Sequence, residues 1–250
     1  MEIELLLVCF GLFVISILYS SVGHGGASGY LAILSLSLYG SMESSWLKQY
    51  AWCLNLVVAA IAFYHYYLEG YFNKKLTFPF IIGSIPFAIL GGFLRIDGVI
   101  YDSLLSVTLI WAAYKLYQTK KEWEVENSIP NLKVSISTGA GIGFFSGIIG
   151  VGGGIFLSPI ILLKKWANPK TVAATSALFI WVNSMAGLFG ASISGQLNLE
   201  SKILFPFVIS VLIGGFLGSK FGSRSNESFV KLMLIFVLII AALKRVLELI

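Results

Sequence analysis

The run Gly147-Ile148-Ile149-Gly150-Val151-Gly152-Gly153-Gly154-Ile155-Phe156-Leu157-Ser158-Pro159 sets five glycines and a proline inside an otherwise apolar segment. An earlier run, Tyr19-Ser20-Ser21-Val22-Gly23-His24-Gly25-Gly26-Ala27-Ser28-Gly29, echoes it. A shift of about 127 residues lays Gly23, Gly25 and Gly26 onto Gly150, Gly152 and Gly153, and Phe78-Pro79-Phe80 onto Phe205-Pro206-Phe207. One residue of slip brings Asn55 onto Asn183, and a four-residue gap brings Gly91-Gly92 onto Gly214-Gly215. The chain reads as two copies of one design, each opening with a helix broken by glycine. Matched breaks in the two halves of a membrane protein point to a substrate site.

Composition places both copies in a bilayer. Hydrophobic residues make up 57% of the 250 and charged residues 12%, with a mean hydropathy of +0.88. A soluble domain carries about 25% charged residues, which excludes a water-soluble core of this size. The net charge of +5 fits Lys and Arg flanking membrane helices. No basic patch interleaved with aromatics is present, so nucleic acid is not an expected partner. The acidic start Met1-Glu2-Ile3-Glu4 runs straight into apolar sequence and predicts a retained helix rather than a cleaved signal. Cys9 and Cys53 stand apart in apolar runs and are expected to be buried thiols.

A hydrocarbon core of about 30 Å takes about 20 apolar residues of helix. On that measure the first half offers helices near residues 3–21, 47–68, 76–95 and 100–117, with a shorter piece near 27–40. The second offers 134–149, 171–190, 203–219 and 229–247, with a short piece at 155–163. The polar stretch Thr119–Lys133 divides them, giving repeats at 1–118 and 134–250 about a cytoplasmic linker at 119–133. The predicted architecture is an all-α integral membrane protein in which each repeat is a glycine-broken unit plus three transmembrane helices.

The short pieces decide how the repeats are oriented. The nine residues Ile155–Leu163 are followed by Lys164 and Lys165, and nine residues of helix cover only about 14 Å. Such a piece either completes a broken helix that crosses once or returns to its own side as a re-entrant hairpin. If both units return, Lys48, Arg95, Lys202, Lys244 and Arg245 share one face and the other twelve of the 17 Lys and Arg share the opposite one. If both cross, the split is eight to nine. The positive-inside rule favours the first arrangement, with inverted repeats and both termini outside the cytoplasm of a cell inner membrane.

In hydrocarbon an interrupted helix survives only inside protein or beside a watery cavity. After each turn a half-helix begins with unpaired N–H groups and the positive end of its dipole near the bilayer centre. Gly23, Gly25 and Gly26 with Gly150, Gly152, Gly153 and Gly154 are therefore expected to form an anion site without a charged side chain. The plainer alternative is that these glycines only permit close helix packing.

The Gly-x-Gly-Gly-Gly turn followed by Pro159, together with Ala174-Thr175-Ser176 and Asn183-Ser184, resembles the sulfite exporter (TauE/SafE) family, and the first half carries a weaker copy. The resemblance covers essentially the whole chain. It implies a multi-pass membrane protein that moves a small sulfur-containing anion, such as sulfite or an organosulfonate, usually outward. The first repeat departs from the pattern. His24 and Ala27 stand where the second has Val151 and Gly154, and Lys48-Gln49 stand opposite Thr175-Ser176.

Six side chains join the glycines as candidates for substrate contact. His24 lies inside a turn, where it could pair with an anion, donate a hydrogen bond or pass a proton, making a proton a candidate coupling ion. Its plain reading is a neutral ring tied to a freed carbonyl. Asn55 and Asn183 occupy matching places within spans, as substrate contacts or as interhelical hydrogen bonds. Thr175, Ser176 and Gln49 lie near helix starts, where they could cap N–H groups or touch the anion. His65 reads as part of an interfacial aromatic belt, and Arg95 and Lys48 as snorkelling cations. No Asp or Glu lies within a span, which argues against a carboxylate-based cation pump. No phosphate-binding Gly-Lys-Ser/Thr loop is present, so ATP hydrolysis is not expected here. No metal or cofactor is expected.

The function this predicts is a secondary transporter of a small anion, working by alternating access around two opposed glycine turns. An anion channel with a fixed pore at the same turns is the alternative. A membrane enzyme or accessory subunit ranks below both, since an enzyme would want clustered His, Cys, Asp or Glu within the spans.

Overall fold

The computed structural model describes residues 2–94 and 129–230, with residues 232, 233 and 236 beyond them. The span predicted near 100–117, most of that near 229–247, Arg95 and the linker as far as residue 128 lie outside the described residues. Within them the regular structure is helical: α1 Glu2–Ser20, α2 Ala27–Ser35, α3 Ser44–Leu68, α4 Lys74–Phe93, α5 Leu132–Ile149, α6 Gly154–Leu163, α7 Pro169–Ile193 and α8 Ser201–Arg224. Six of these, all but α2 and α6, are long and apolar enough to cross a bilayer. The two short helices, of 9 and 10 residues, follow the two glycine runs. Helix starts are set by local chemistry. Asn168 Oδ1 accepts the amide of Thr171 at 2.8 Å, with Pro169 at the first helical position, and Asn73 caps Leu76 in the same way.

The side-chain distribution suits lipid as solvent. Leu6, Phe10, Ile82, Phe205 and Phe221 are exposed, whereas Asn55, Thr77, Ser84, Ser158, Thr175, Ser176 and Ser184 are fully buried. Glycine lets the helices touch backbone to backbone. Gly139 and Gly143 of α5 lie on Phe80 and Ser84 of α4, and Gly214, Gly218 and Gly222 of α8 lie on Phe13 and Ile17 of α1 and on Ser21 just after it. A Cβ at any of these would collide with main chain.

These contacts fix the helix directions. In both pairs just named the numbering rises together, so α4 runs parallel to α5 and α1 to α8. Likewise α3 parallels α8, with Gly215 packed against Val58 and His65 bonded to Ser219. Helix α4 parallels α7, with Thr77 bonded to Thr175 and Gly92 packed on Gly187. Between α3 and α7 the order reverses, since Gln49 meets Gln196 and Asn55 meets Ser184. Two bodies result, α1–α3–α8 and α4–α5–α7, joined along an antiparallel α3–α7 seam. Exchanging α1 with α5, α3 with α7 and α4 with α8 maps this packing onto itself. Helix α2 folds back along α1, where Tyr19 Oη and Ser28 Oγ lie 2.9 Å apart, while α6 packs on α7.

The ends of the bundle differ. At one, Lys170 Nζ donates to Tyr71 Oη at 2.9 Å and to Ser223 O at 3.0 Å, and Arg224 pairs with Glu69 at 3.2 Å. Helix direction brings Lys74, Lys75, Lys133, Lys164, Lys165 and Lys220 to that same end. At the other, Gln49 Nε2 donates to Gln196 O while its Oε1 accepts from Asn198 N. There Glu200 N donates to Tyr50 Oη, and the cations among the described residues are Lys48 and Lys202. Lys48 does not snorkel, since it is buried at 1% exposure.

Candidate functional site

Each long first helix ends in a turn that only glycine makes cheaply. Gly26 at φ 101 and Gly153 at φ 83 are the N-caps of α2 and α6, both left-handed and both without a side-chain cap. There an L side chain costs about 1–2 kcal/mol per residue. The turns reverse the chain inside the bundle and bring both short-helix N-termini to the α3–α7 seam.

Asn55 and Ile180 are the common neighbours of both turns. Gly25 lies against Asn55 Oδ1 and Ile180; Gly152 against Asn55 Nδ2, Ile180 and Ser184 Oγ; Gly154 against Ile180 and His24. Asn55 holds the centre together. Its Oδ1 accepts the first amide of α2, Ala27 N, at 3.1 Å, and its Nδ2 donates to Ser184 Oγ at 3.2 Å. A second chain of hydrogen bonds crosses the seam beside it: His24 Nε2 lies 3.1 Å from Ser158 Oγ, and Ser158 Oγ 2.7 Å from Ser176 Oγ. Thus the first turn reaches α6 and α7 through His24, and α2 reaches α7 through Asn55.

The two halves are not equivalent here. Asn183, the counterpart of Asn55, turns its Nδ2 back to Phe179 O in its own helix at 2.8 Å, and its Oδ1 has no hydrogen-bond partner. His24, Ser158 and Ser176 correspond by the repeat shift to Val151, Leu31 and Gln49, so this hydrogen-bond chain has no repeat-related copy.

Of the residues singled out from sequence, His24, Gly25, Asn55, Gly152, Gly154 and Ser176 meet at this centre, with Gly26 and Gly153 behind them as caps. Gly23 and Gly150 lie toward opposite ends, Gly23 on the Ala173 backbone and Gly150 under the Lys48 stem. Thr175 binds Thr77 of α4, and Gln49 is occupied in the contact with residues 196–198. His65, read as part of an aromatic belt, has Nδ1 2.8 Å from Ser219 Oγ. Ser158 and Ser184 belong to stretches the sequence singled out, but neither they nor Ile180 stood among its candidate site residues. The signal was there: Ser176, Ile180 and Ser184 at spacing four line one stripe of α7.

The centre is closed off from the surface. His24, Asn55, Ser158, Ser176 and Ser184 are each at most 2% exposed. Among the described residues no group of His, Cys, Asp or Glu is placed to hold a metal ion. What the site offers is amide and hydroxyl donors and two helix N-termini, each equivalent to about half a positive charge.

These features define a polytopic α-helical membrane protein with six candidate membrane-spanning helices among the described residues. The sulfite exporter TauE/SafE family model matches residues 7–245, and the chain belongs to that family, whose members are membrane transporters rather than enzymes. It is 34% identical over 249 residues to a probable membrane transporter protein, y4hK, of Sinorhizobium fredii, covering 98% of this chain and 99% of that one. It is also 27% identical over 161 residues to the probable membrane transporter protein MJ0441 of Methanocaldococcus jannaschii, covering 62% and 60%. A 31% match over 94 residues to the probable membrane transporter protein YunE of Bacillus subtilis covers 38% and 32%. No solved structure matches the chain.

Proposed function

We propose that this protein is a secondary transporter, working as an exporter, of a small anion such as sulfite or an organosulfonate. It binds the anion between its two glycine turns and exposes that site alternately to the two sides. One observation carries the reading: the N-termini of α2 and α6 meet at a buried polar centre on the α3–α7 seam, with no carboxylate among the described residues beside them. Two half-charges in a low-dielectric site suit one negative charge, and the absence of a full ion pair keeps release easy.

Burial of the centre from both faces supports a carrier over a fixed pore, since a pore would leave the turns wet. The two bodies sharing the α3–α7 seam give alternating access its moving parts. In this reading the halves are inverted repeats, consistent with the antiparallel course of α3 and α7. The Lys-rich end, with Lys133, Lys164 and Lys165, faces the cytoplasm by the positive-inside rule, and the termini face outward across the cell membrane. His24, hydrogen-bonded into the Ser158–Ser176 chain, is the group through which a coupling proton would act.

Flux into liposomes holding the purified protein tests this, using sulfite, thiosulfate, sulfate, small sulfonates and carboxylates. Saturable flux of one of these anions, accelerated by the same anion on the far side, is the expected result. Flux that never saturates and shows no counter-flow would mean a channel. Absence of flux for every anion would remove the transport reading.

A further inference from the structure

Besides His24 Nδ1 and Tyr30 Oη at the turns, two further buried polar atoms near the centre are left over by its hydrogen bonds. Asn183 Oδ1 and Trp52 Nε1 are buried without a hydrogen-bond partner, and both residues are 1% exposed. The orientation of the Asn183 amide is set by its bond to Phe179 O, so the atom left over is an acceptor. The indole N–H can only donate. The two belong to one place. Trp52 lies over Gly187, where a Cβ would come 2.7 Å from its ring and 3.1 Å from Nε1. Asn183 projects from the same face of α7 one turn earlier. Asn55, one turn along α3 from Trp52, bonds the neighbouring Ser184. Phe179, to which Asn183 is tied, lies against Gly153 of the second turn. The pair therefore borders the glycine centre on the side of the second turn.

From this we infer that Asn183 and Trp52 are specificity residues of the anion site, and that its preferred substrate is a monoanion carrying one protonated oxygen. The inference rests on the transport reading above and narrows it. Any oxyanion can satisfy the donor at Trp52. Only a ligand that itself donates can satisfy the carbonyl of Asn183. A hydroxyl on a partly protonated oxyanion does both, accepting from the indole and donating to the amide. A fully deprotonated dianion would set a charged oxygen against that carbonyl oxygen and would bring more charge than two half-charged helix ends offset. Hydrogensulfite fits this description, and a sulfonate without a hydroxyl fits it less well.

Methylphosphonate monoanion and methanesulfonate have the same shape and charge and differ in one hydroxyl. Calorimetry on the purified full-length protein, slightly on the acid side of neutrality, should show methylphosphonate binding about tenfold tighter, the difference expected for one added hydrogen bond. Raising the pH until methylphosphonate loses its second proton should abolish that advantage in the wild type. Asn183→Leu keeps the volume and removes the acceptor, and should bring the affinity ratio close to one. Trp52→Phe should weaken both anions. Equal affinities in the wild type, or a preference that persists in folded Asn183→Leu, would overturn the inference while leaving the transport reading in place. If the wild type binds neither anion and moves none of the anions above, both fall together.

Discussion

Replacing Gly152 by alanine tests the turn geometry most directly, because two separate costs meet there. The backbone sits at φ +73, and a Cβ would lie 2.8 Å from both Asn55 Nδ2 and Ile180 Cγ2 and 3.0 Å from Ser184 Oγ. The left-handed conformation costs a non-glycine residue about 1–2 kcal/mol. Forcing a methyl into a packed site costs about 1–3 kcal/mol more, for a total of roughly 2–5 kcal/mol. Two other glycines separate the components. Gly195 has φ +67 with nothing within 4 Å of a Cβ, so Gly195→Ala should carry the conformational cost alone. Gly141, within α5, has no such φ and no neighbour, so its replacement should stabilise by about 0.5–1 kcal/mol. Thermal unfolding in detergent gives the order Gly141→Ala, wild type, Gly195→Ala, Gly152→Ala, from most to least stable. Flux in liposomes should survive in the first three and be lost in the last. Were Gly152→Ala as stable as Gly195→Ala and fully active, the packing of this turn on Asn55 and Ser184 would be irrelevant to transport.

Asn55→Leu should strand the buried Ala27 amide, costing about 1–3 kcal/mol and reducing flux more than stability; wild-type flux would show that Asn55 only joins helices. His24→Gln keeps a donor toward Ser158 and should retain transport at neutral pH, whereas His24→Leu should not, and equal flux in the two would take His24 out of the mechanism. Single cysteines at Lys133 and Lys165, on a background without Cys9 and Cys53, should be shielded from an impermeant reagent on intact cells, while cysteines at Ser41 and Leu199 should react. Labelling of Lys133 and Lys165 from opposite sides would refute inverted repeats.

The membrane character was legible in the linear sequence, and the left-handed Gly26 and Gly153 before the two short helices fall within the glycine runs it singles out. Composition alone excludes a soluble core, and the repeat shift finds Gly23 against Gly150 without coordinates. The expected helices differ from the observed ones mainly at their ends, as where Asn168 and Pro169 start α7 two residues before its apolar run. Two side-chain readings went differently. Lys48 looked interfacial, yet it is buried beside Gly150. Gln49, read as the first-half counterpart of Ser176, is bonded to residues 196–198 at the far end of the bundle. A periodic pattern tells which face of a helix is apolar, and says nothing of which neighbour that face meets.

Periodicity, propensity and the cost of unpaired backbone in lipid are local properties, so the sequence by itself determined that this chain is an all-helical, multi-pass membrane protein. Only the tertiary structure decided which groups share the centre. The bond from Asn55 to Ser184 joins residues 129 positions apart, and that from His24 to Ser158 joins residues 134 apart. Neither helix pattern encodes the antiparallel seam that makes those pairs. The same holds for the inequality of Asn55 and Asn183, identical residues at matching places in the repeat. One caps a short helix and the other keeps a free acceptor, because the groups around them belong to different halves of the chain.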